Sequence, residues 1–381
     1  MAAGQWVGYC RVEQQPLRPW YAAGQPLARA ASGSNAAARA VGGRRRNDRG
    51  VEVLVSPVRR PAALTGSRTR PRQFAGRRLP PVPVLEYAAA AAVAKAAPPR
   101  LLRSVAAGIG VVVSRRRAMA TRRDMMARHL RRAWGRPLDD HELGDQVDQA
   151  FGSYARYWAE SLRLPGMSFD AVEAGMSWQG IGHLYQGLEA GRGVILALPH
   201  LGGWEWAGAW IVGQGYPMTV VVEALEPPEL FEWFAGFRRS VGMEVVGVGP
   251  EAASAVLRAL RANHVVCLLC DRNLPGAAGV DVEFFGERTS LPAGPATLAL
   301  RTGAALLPTA AYFEDGPAGH LGLVQSPIPT ARQGSLREDV ARVTQELALR
   351  LEGLIRRRPT QWHLMQPNWP SDTEGSAPSR G

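Results

Sequence analysis

The chain has 381 residues, 46% of them hydrophobic, which is enough for a large buried core and one or two domains. Its net charge of +12 would ordinarily point to a nucleic acid or an anionic membrane as partner. All of that excess lies in residues 1–80, which hold 15 arginines and three acidic residues. The rest of the chain is neutral overall, so composition excludes a folded domain that is basic throughout.

Residues 1–80 differ in composition from the rest of the chain. They are rich in Ala, Gly, Pro and Arg and show no sustained helical or strand periodicity, which predicts a disordered tail. They lack the basic start and the apolar stretch of a signal peptide. An alternative is that this segment arises from a wrongly chosen start site. Aromatic residues are not interleaved with its arginine runs, so we expect no nucleic acid partner.

Residues 81–165 favour helices, and residues 81–140 carry a local positive charge, with 12 basic and four acidic residues. No apolar stretch there reaches the ~18 to 20 residues of a transmembrane helix. Arginines flank one apolar stripe, as in a helix at the surface of an anionic membrane, but a helix packed on its own domain has the same pattern. Both alternatives stay open. The predicted stripe consists of Leu101, Leu102, Val105, Ile109, Val112 and Val113, and two more helices are expected within residues 119–164.

After Gly166, apolar runs of strand length alternate with helical segments, as in a sheet covered by helices. The predicted strands are residues 194–198, 218–222, 244–248, 265–270, 305–310 and 321–324. The predicted helices are residues 204–213, 228–241, 251–262, 294–302 and 336–358. We therefore predict an α/β fold with a central sheet flanked by helices, an N-terminal helical region facing a membrane, and a disordered basic tail. Residues 81–370 would form one domain, with its helical part at 81–165 and its α/β part at 166–370, and residues 371–381 a polar tail.

His200 is the first candidate for a catalytic residue. It follows the buried strand predicted at residues 194–198 and precedes the helix predicted at 204–213. Ligands of open α/β sheets gather at the carboxyl ends of strands. A neutral imidazole there removes a hydroxyl proton near neutral pH, as attack of an alcohol on an acyl carbonyl requires. Gly202 and Gly203 allow substrate to approach the backbone, and their N–H groups are candidates for stabilising an oxyanion.

Two carboxylates are candidate partners of His200. Glu205 lies five residues further on, a spacing that does not stack two side chains on a helix. Asp271 directly follows the strand predicted at 265–270, and a carboxylate there would fix the imidazole tautomer and stabilise the imidazolium. The alternative is that Asp271 is a turn residue paired with Arg272.

Other chemistries lack their sequence motifs. The chain has no Gly-x-Ser-x-Gly elbow, no phosphate-binding loop of the Gly-x-x-x-x-Gly-Lys type, no dinucleotide fingerprint and no histidine spacing suited to a metal. Cys267 and Cys270 have the spacing of a redox or half-zinc motif, but they lie in an apolar run without a second pair. We predict that both are buried and structural, and that a direct transfer proceeds without a metal or a bound cofactor.

Seven sequence blocks, in this order, carry a resemblance to a known family. They resemble the lysophospholipid and lipid A acyltransferase superfamily, with its His-x4-Asp/Glu motif, and within it most resemble the actinobacterial phosphatidylinositol mannoside acyltransferases. The similarity covers roughly residues 84–370. The blocks are residues 196–206, 237–242, 267–274, 282–287, 291–295, 302–308 and 361–369.

The resemblance implies a peripheral enzyme on the cytoplasmic face of the plasma membrane. It would move a long acyl chain, typically palmitoyl, from acyl-CoA to a mannose hydroxyl of a phosphatidylinositol mannoside. His200 matches the catalytic base, and Asp271 matches the relay carboxylate at a position where the family usually has Glu. Glu205 is implied to form a salt bridge with Arg238 and to shape the donor site. Arg301 stands where the family has an acidic residue and is a candidate for substrate binding.

The partners that follow from the resemblance are acyl-CoA as co-substrate, a mannosylated phosphatidylinositol acceptor and an anionic membrane surface. One rival hypothesis keeps the chemistry but changes the acceptor to another glycolipid or a lysophospholipid, with acyl carrier protein as an alternative donor. Another rival is a lipid-binding relative without catalysis, against which the presence of His200 and Asp271 argues.

Overall fold

A computed structural model describes residues 44–46, 52–54, 90–223, 228–249, 251–274, 276–316 and 319–373, with only the backbone of 44–46, 52–54, 100 and 230. Strands β1 (Arg44–Arg46) and β2 (Glu52–Leu54) form an antiparallel pair. Apart from these two strands, the disordered tail predicted for residues 1–80 lies outside the residues that the structure describes. Residues 81–89 and 374–381 also lie outside the described part.

The helices expected in the N-terminal part are present. Residues 90–96 are helical and are followed by α1 (Pro99–Ser114), α2 (Ala120–Trp134) and α3 (Asp140–Arg163). Helix α1 lies directly against α3, where a Cβ added to Gly110 would come within 2.5 Å of the carbonyl oxygen of Phe151. Only glycine permits this close approach of the two backbones.

The predicted apolar stripe of α1 divides into two faces. Leu102 and Ala106 are buried. Large apolar side chains on the other face remain 48–64% exposed: Leu101, Val105, Ile109 and Val112. Within the described residues, no helix combines the length and the apolar character that crossing a membrane requires.

The strands of the α/β part are β3 (Met176–Gln179), β4 (Val194–Leu198), β5 (Met218–Val222), β6 (Glu244–Gly247), β7 (Val265–Leu269), β8 (Gly279–Phe284), β9 (Glu287–Pro292), β10 (Ala305–Phe313) and β11 (His320–Val324). Seven of them form the central sheet in the order β3-β11-β10-β4-β7-β5-β6, with β10 and β11 antiparallel and the other neighbours parallel. A separate antiparallel hairpin consists of β8 and β9.

Helices cover both faces of this sheet, which confirms the predicted α/β class. They are α4 (Phe169–Ala174), α5 (Gly182–Glu189), α6 (Trp204–Gly213), α7 (Pro228–Ser240), α8 (Ala252–Arg261), α9 (Gly294–Thr302) and α10 (Leu336–Arg357). All five residues of β4 are buried. Ile195 and Ala197 pack towards the face covered by α8, α9 and α10, whereas Val194, Leu196 and Leu198 pack towards α5 and α6. A strand buried on both faces explains the continuous apolar run in the sequence.

The boundary predicted at residue 370 is too early. Asp372 is 3% exposed and accepts hydrogen bonds from the backbone N–H groups of Asn368 and Trp369. Its other carboxylate oxygen lies 2.8 Å from a guanidinium nitrogen of Arg132 on α2. These contacts fasten the C-terminal segment to the helical part, so residues 371–373 belong to the folded domain.

Candidate active site

The parallel pairing of β4 with β7 brings the first two candidate residues together. Leu198 and Leu269 are register partners at the carboxyl ends of these strands. His200 therefore emerges beside Asp271, although 71 positions separate them in sequence. The edge of the sheet predicted to hold the site is the edge at which both side chains lie.

His200 and Asp271 form a hydrogen-bonded pair. The imidazole Nδ1 lies 2.6 Å from Oδ1 of Asp271, and the backbone N–H of His200 donates to Oδ2 at 2.9 Å. Because Nδ1 faces a carboxylate, it carries the proton, and Nε2 of the neutral ring is left to accept one. The side chain of His200 is 31% exposed whereas Asp271 is fully buried, so the imidazole reaches solvent and its carboxylate partner does not. Arg272 pairs instead with Glu223 at 2.7 Å, which removes the alternative that Asp271 is its turn partner.

Two residues that the sequence did not single out hold Asp271 in place. The indole N–H of Trp362 donates to Oδ2 at 2.7 Å, and the side-chain amide of Asn368 donates to the backbone carbonyl of Asp271 at 2.9 Å. Burial raises the pKa of Asp271, but the nearby His200 and the indole N–H of Trp362 outweigh this effect and hold the pKa below its ordinary value. Asp271 is thus kept ionised beside the imidazole. In the sequence, the pattern that could have indicated Trp362 and Asn368 is the aromatic stretch that follows α10.

The N–H groups of Gly202 and Gly203 are already occupied. Gly202 donates to the carbonyl of Gln361 at 2.9 Å, and Gly203 donates to the carbonyl of Ala311 at 2.8 Å. Gly202 has a φ of +61°, and a Cβ there would lie 2.0 Å from the Ala311 oxygen. The glycines serve close packing of the turn against β10, and the prediction that their amides stabilise an oxyanion is wrong for this arrangement.

Glu205 turns away from His200 and binds Arg238, as the resemblance implied. Its Oε1 accepts from the guanidinium Nε at 3.0 Å and Nη2 at 2.7 Å, and from the hydroxyl of Tyr157 at 3.3 Å. Burial raises the pKa of Glu205, although Arg238 and Tyr157 act in the opposite direction. The guanidinium also lies 5.2 Å from the ring centre of Trp204. This buried pair ties α7 to the start of α6.

His363 is a second histidine close to the site. Its backbone N–H donates to the carbonyl of His200 at 2.7 Å, and its Nε2 lies 2.8 Å from the hydroxyl of Ser153. Burial, together with the nearby His200, lowers the pKa of His363 to about 3. The ring of His363 is therefore neutral at physiological pH.

The cysteines are buried, as predicted. Cys267 lies on β7, is 4% exposed, and burial together with Glu205 raises its thiol pKa to about 12. Cys270 is 1% exposed, and its thiol lies 3.1 Å from the carbonyl of Leu268. A thiol that stays protonated is a poor nucleophile. In the part of the chain that the structure describes, no three His, Cys, Asp or Glu side chains cluster as a metal site would require.

Arg301 is not brought to the site. Ala305 of β10 pairs with Val194 of β4, so Arg301 precedes the amino ends of these strands, whereas His200 follows the carboxyl end. It lines a separate cavity of about 600 Å³ with Arg192 and Arg261. The structure gives no support to Arg301 as a substrate-binding residue beside His200.

An α/β sheet with a solvent-reaching His-Asp pair at the carboxyl ends of its strands is an arrangement suited to general-base catalysis on a hydroxyl. The chain belongs to the family of bacterial lipid A biosynthesis acyltransferases, whose model matches residues 78–371. It is an acyltransferase.

This chain is similar to acyltransferases of two organisms that share one named activity. The phosphatidylinositol mannoside acyltransferase of Mycolicibacterium smegmatis is 40% identical over 253 residues, which cover 65% of this chain and 80% of that protein. The phosphatidylinositol mannoside acyltransferase of Mycobacterium tuberculosis is 42% identical over 229 residues, covering 59% of this chain and 70% of that protein. The resemblance found in the sequence blocks is thereby confirmed.

Proposed function

We propose that this enzyme transfers a long fatty acyl group from acyl-CoA to a mannose hydroxyl of a phosphatidylinositol mannoside, with His200 as general base. The observation that carries the proposal is the His200–Asp271 pair, whose geometry leaves Nε2 free to accept a proton. The names of the relatives support the acceptor.

The chemical step follows from this geometry. Nε2 of His200 takes the proton of the mannose hydroxyl as its oxygen attacks the thioester carbonyl carbon. A C–O bond forms and the C–S bond breaks. The proton then passes from the imidazolium to the departing thiolate, which leaves as the free thiol of CoA. The ionised Asp271 stabilises the imidazolium between these two transfers.

The acceptor is tested by offering the purified protein radiolabelled palmitoyl-CoA and a panel of lipids. We expect label in the phosphatidylinositol mannoside. Transfer to a lysophospholipid or to an unrelated glycolipid, with none to the mannosylated lipid, would overturn the proposal. Palmitoyl attached to acyl carrier protein is offered as a second acyl donor in the same assay. A preference for this donor would change the proposed donor and leave the proposed acceptor as it is.

We also propose that the enzyme works on an anionic bilayer, on the cytoplasmic face of the plasma membrane, and contacts it through the outer face of α1. The exposed side chains of Leu101, Val105, Ile109 and Val112 form an apolar strip. Arg116 and Arg117, which follow α1, are exposed and form no salt bridge within the described residues. Apolar insertion together with guanidinium contacts to lipid phosphates is the usual basis of interfacial binding.

Leu101→Asp combined with Ile109→Asp is expected to weaken binding to vesicles that contain roughly one quarter phosphatidylserine by more than about tenfold. Each substitution removes an aliphatic side chain that would insert into the bilayer. It also adds a negative charge, which the anionic lipid headgroups repel. Vesicle sedimentation measures the effect. Leu349→Asp on α10, where the leucine is 52% exposed, is the matched control. Equal binding by control and double variant would exclude α1 from the membrane contact.

A further inference from the structure

An open cavity of about 600 Å³ lies between α1, α3 and the end of β10. Helix α3 contributes polar side chains to it, and α1 contributes small residues, among them Gly108. The end of β10 contributes the ring of Phe313, and the turn after α10 contributes Thr360 and Gln361.

This cavity and the catalytic turn share a wall. Gln361 lines the cavity, and its backbone carbonyl accepts the N–H of Gly202, two residues after His200. Ser153 also lines the cavity, and its hydroxyl contacts His363, whose backbone N–H donates to the carbonyl of His200. One layer of residues therefore separates the cavity wall from the base.

The lining is suited to a polyhydroxylated ring. Asp145 supplies a carboxylate and Gln149 supplies an amide, whereas both carboxylate oxygens of Asp148 are already bound by arginines. Within the part of the chain that the structure describes, the side chains of Gln149 and Thr360 form no hydrogen bond, so their donors and acceptors are available to a ligand. The hydroxyl groups of a ring can hydrogen-bond to carboxylates and amides. An acyl chain would instead bury these polar groups without hydrogen-bond partners, and this free-energy cost disfavours an acyl chain as the ligand.

Among the described residues that line the cavity, Arg156 is the cationic one, and partners in the protein hold it. Arg156 donates to Glu160 at 3.0 Å and to the carbonyl of Gly319 at 2.9 Å, and its guanidinium lies 4.3 Å from the ring centre of Phe313. The lining residue Asp148 binds Arg123 at 2.6 Å and also contacts Arg115, and neither arginine lines the cavity. With Arg156 paired and Asp145 exposed, the cavity favours a neutral polar ligand over an anion.

We propose that this cavity binds a sugar or inositol ring in the headgroup of the acceptor lipid, an inference that rests on the proposed function. The residues of α1 that line the cavity lie next to the apolar strip described above on the helix surface, so the same helix would meet the lipid tails and, beside them, the headgroup. The cavity selects acceptors by their ring hydroxyls while the reacting hydroxyl lies at His200.

Gly108→Phe tests the cavity by filling it. Gly108 lines the cavity, and a Cβ added there meets no atom within 4 Å, so a ring at this position fits without displacing the backbone. We expect the ratio of the acceptor KM to the palmitoyl-CoA KM to rise about tenfold, as the loss of one or two hydrogen bonds implies. Gly353→Phe on α10, where an added Cβ also meets no atom within 4 Å, is the matched control and is expected to keep the wild-type ratio.

A smaller substitution tests the same cavity in case the Gly108→Phe variant folds poorly. Gln149→Ala is expected to raise the same ratio several-fold, and Gln186→Ala, an exposed glutamine on α5, is expected not to. Methyl mannoside and myo-inositol, each added as a competitor of the acceptor, show which ring the cavity holds. Wild-type ratios in both cavity variants, or no competition by either compound, would overturn the inference.

The failure of this inference differs from a failure of the proposed function. If the wild-type protein acylates the mannosylated lipid while the Gly108→Phe and Gln149→Ala variants match it, only the cavity assignment falls. If the wild-type protein transfers no acyl group to any mannosylated lipid, the proposed function falls first, and the cavity assignment falls with it.

Discussion

Replacing His200 with alanine is expected to lower kcat for acyl transfer by about 10²- to 10⁴-fold, the usual contribution of a general base. The side chain is 31% exposed, and Asp271 keeps its hydrogen bonds from Trp362 and from the backbone of His200, so the fold survives the change. Transfer of radiolabelled palmitate measures the rate, and thermal unfolding verifies the fold. His183→Ala on α5 is the control. Unchanged transfer by the His200 variant would remove this residue from the base role.

Asp271→Asn gives an independent check on the same pair. Two N–H groups point at Oδ2, so the amide oxygen takes that place and the amide NH₂ faces Nδ1 of His200. The ring then has to accept at Nδ1 and carry its proton on Nε2, which is the wrong tautomer for a base. We expect a loss of kcat close to that of His200→Ala. A variant with normal kcat would show that the carboxylate does not set the tautomer.

Arg238→Ala is expected to lower the free energy of unfolding by about 3–5 kcal/mol, because it leaves the carboxylate of Glu205 buried without its cation. Glu205 is 2% exposed, and its Oε2 already has no hydrogen-bond partner within the described residues. Urea denaturation measures the loss. The neighbouring Arg239 is 50% exposed and pairs with Glu232 at the surface, so Arg239→Ala is expected to cost less than about 1 kcal/mol.

A double variant separates the charge from the packing. Glu205→Leu with Arg238→Met removes both charges and keeps most of the apolar volume, and replacement of a buried ion pair in this way is often neutral or stabilising. We expect it to recover most of the stability that Arg238→Ala loses. If Arg238→Ala costs no more than Arg239→Ala, the buried pair is not what joins α7 to α6.

The strands buried on both faces were predicted almost to the residue, because β4 and β7 are continuous apolar runs that stop just before His200 and Asp271. The hairpin of β8 and β9 was missed. Buried and more exposed residues mix along β8, and Phe285 and Gly286 both adopt positive φ in the turn, so no apolar run marks this element. The short strand β3 was missed too, since four residues are too few for a clear period.

The sequence by itself determined the position of His200 and, through two strand ends, of the carboxylate beside it. Both follow from local rules, because residues after parallel strands share one edge of a sheet. Only the tertiary structure decided which groups remain free. The amides of Gly202 and Gly203 are used by residues more than 100 positions away, Trp362 and Asn368 reach Asp271 from the C-terminal segment, and Arg301 lies at the opposite edge. Local periodicity carries no information about such long-range partners, which the packing of distant segments creates.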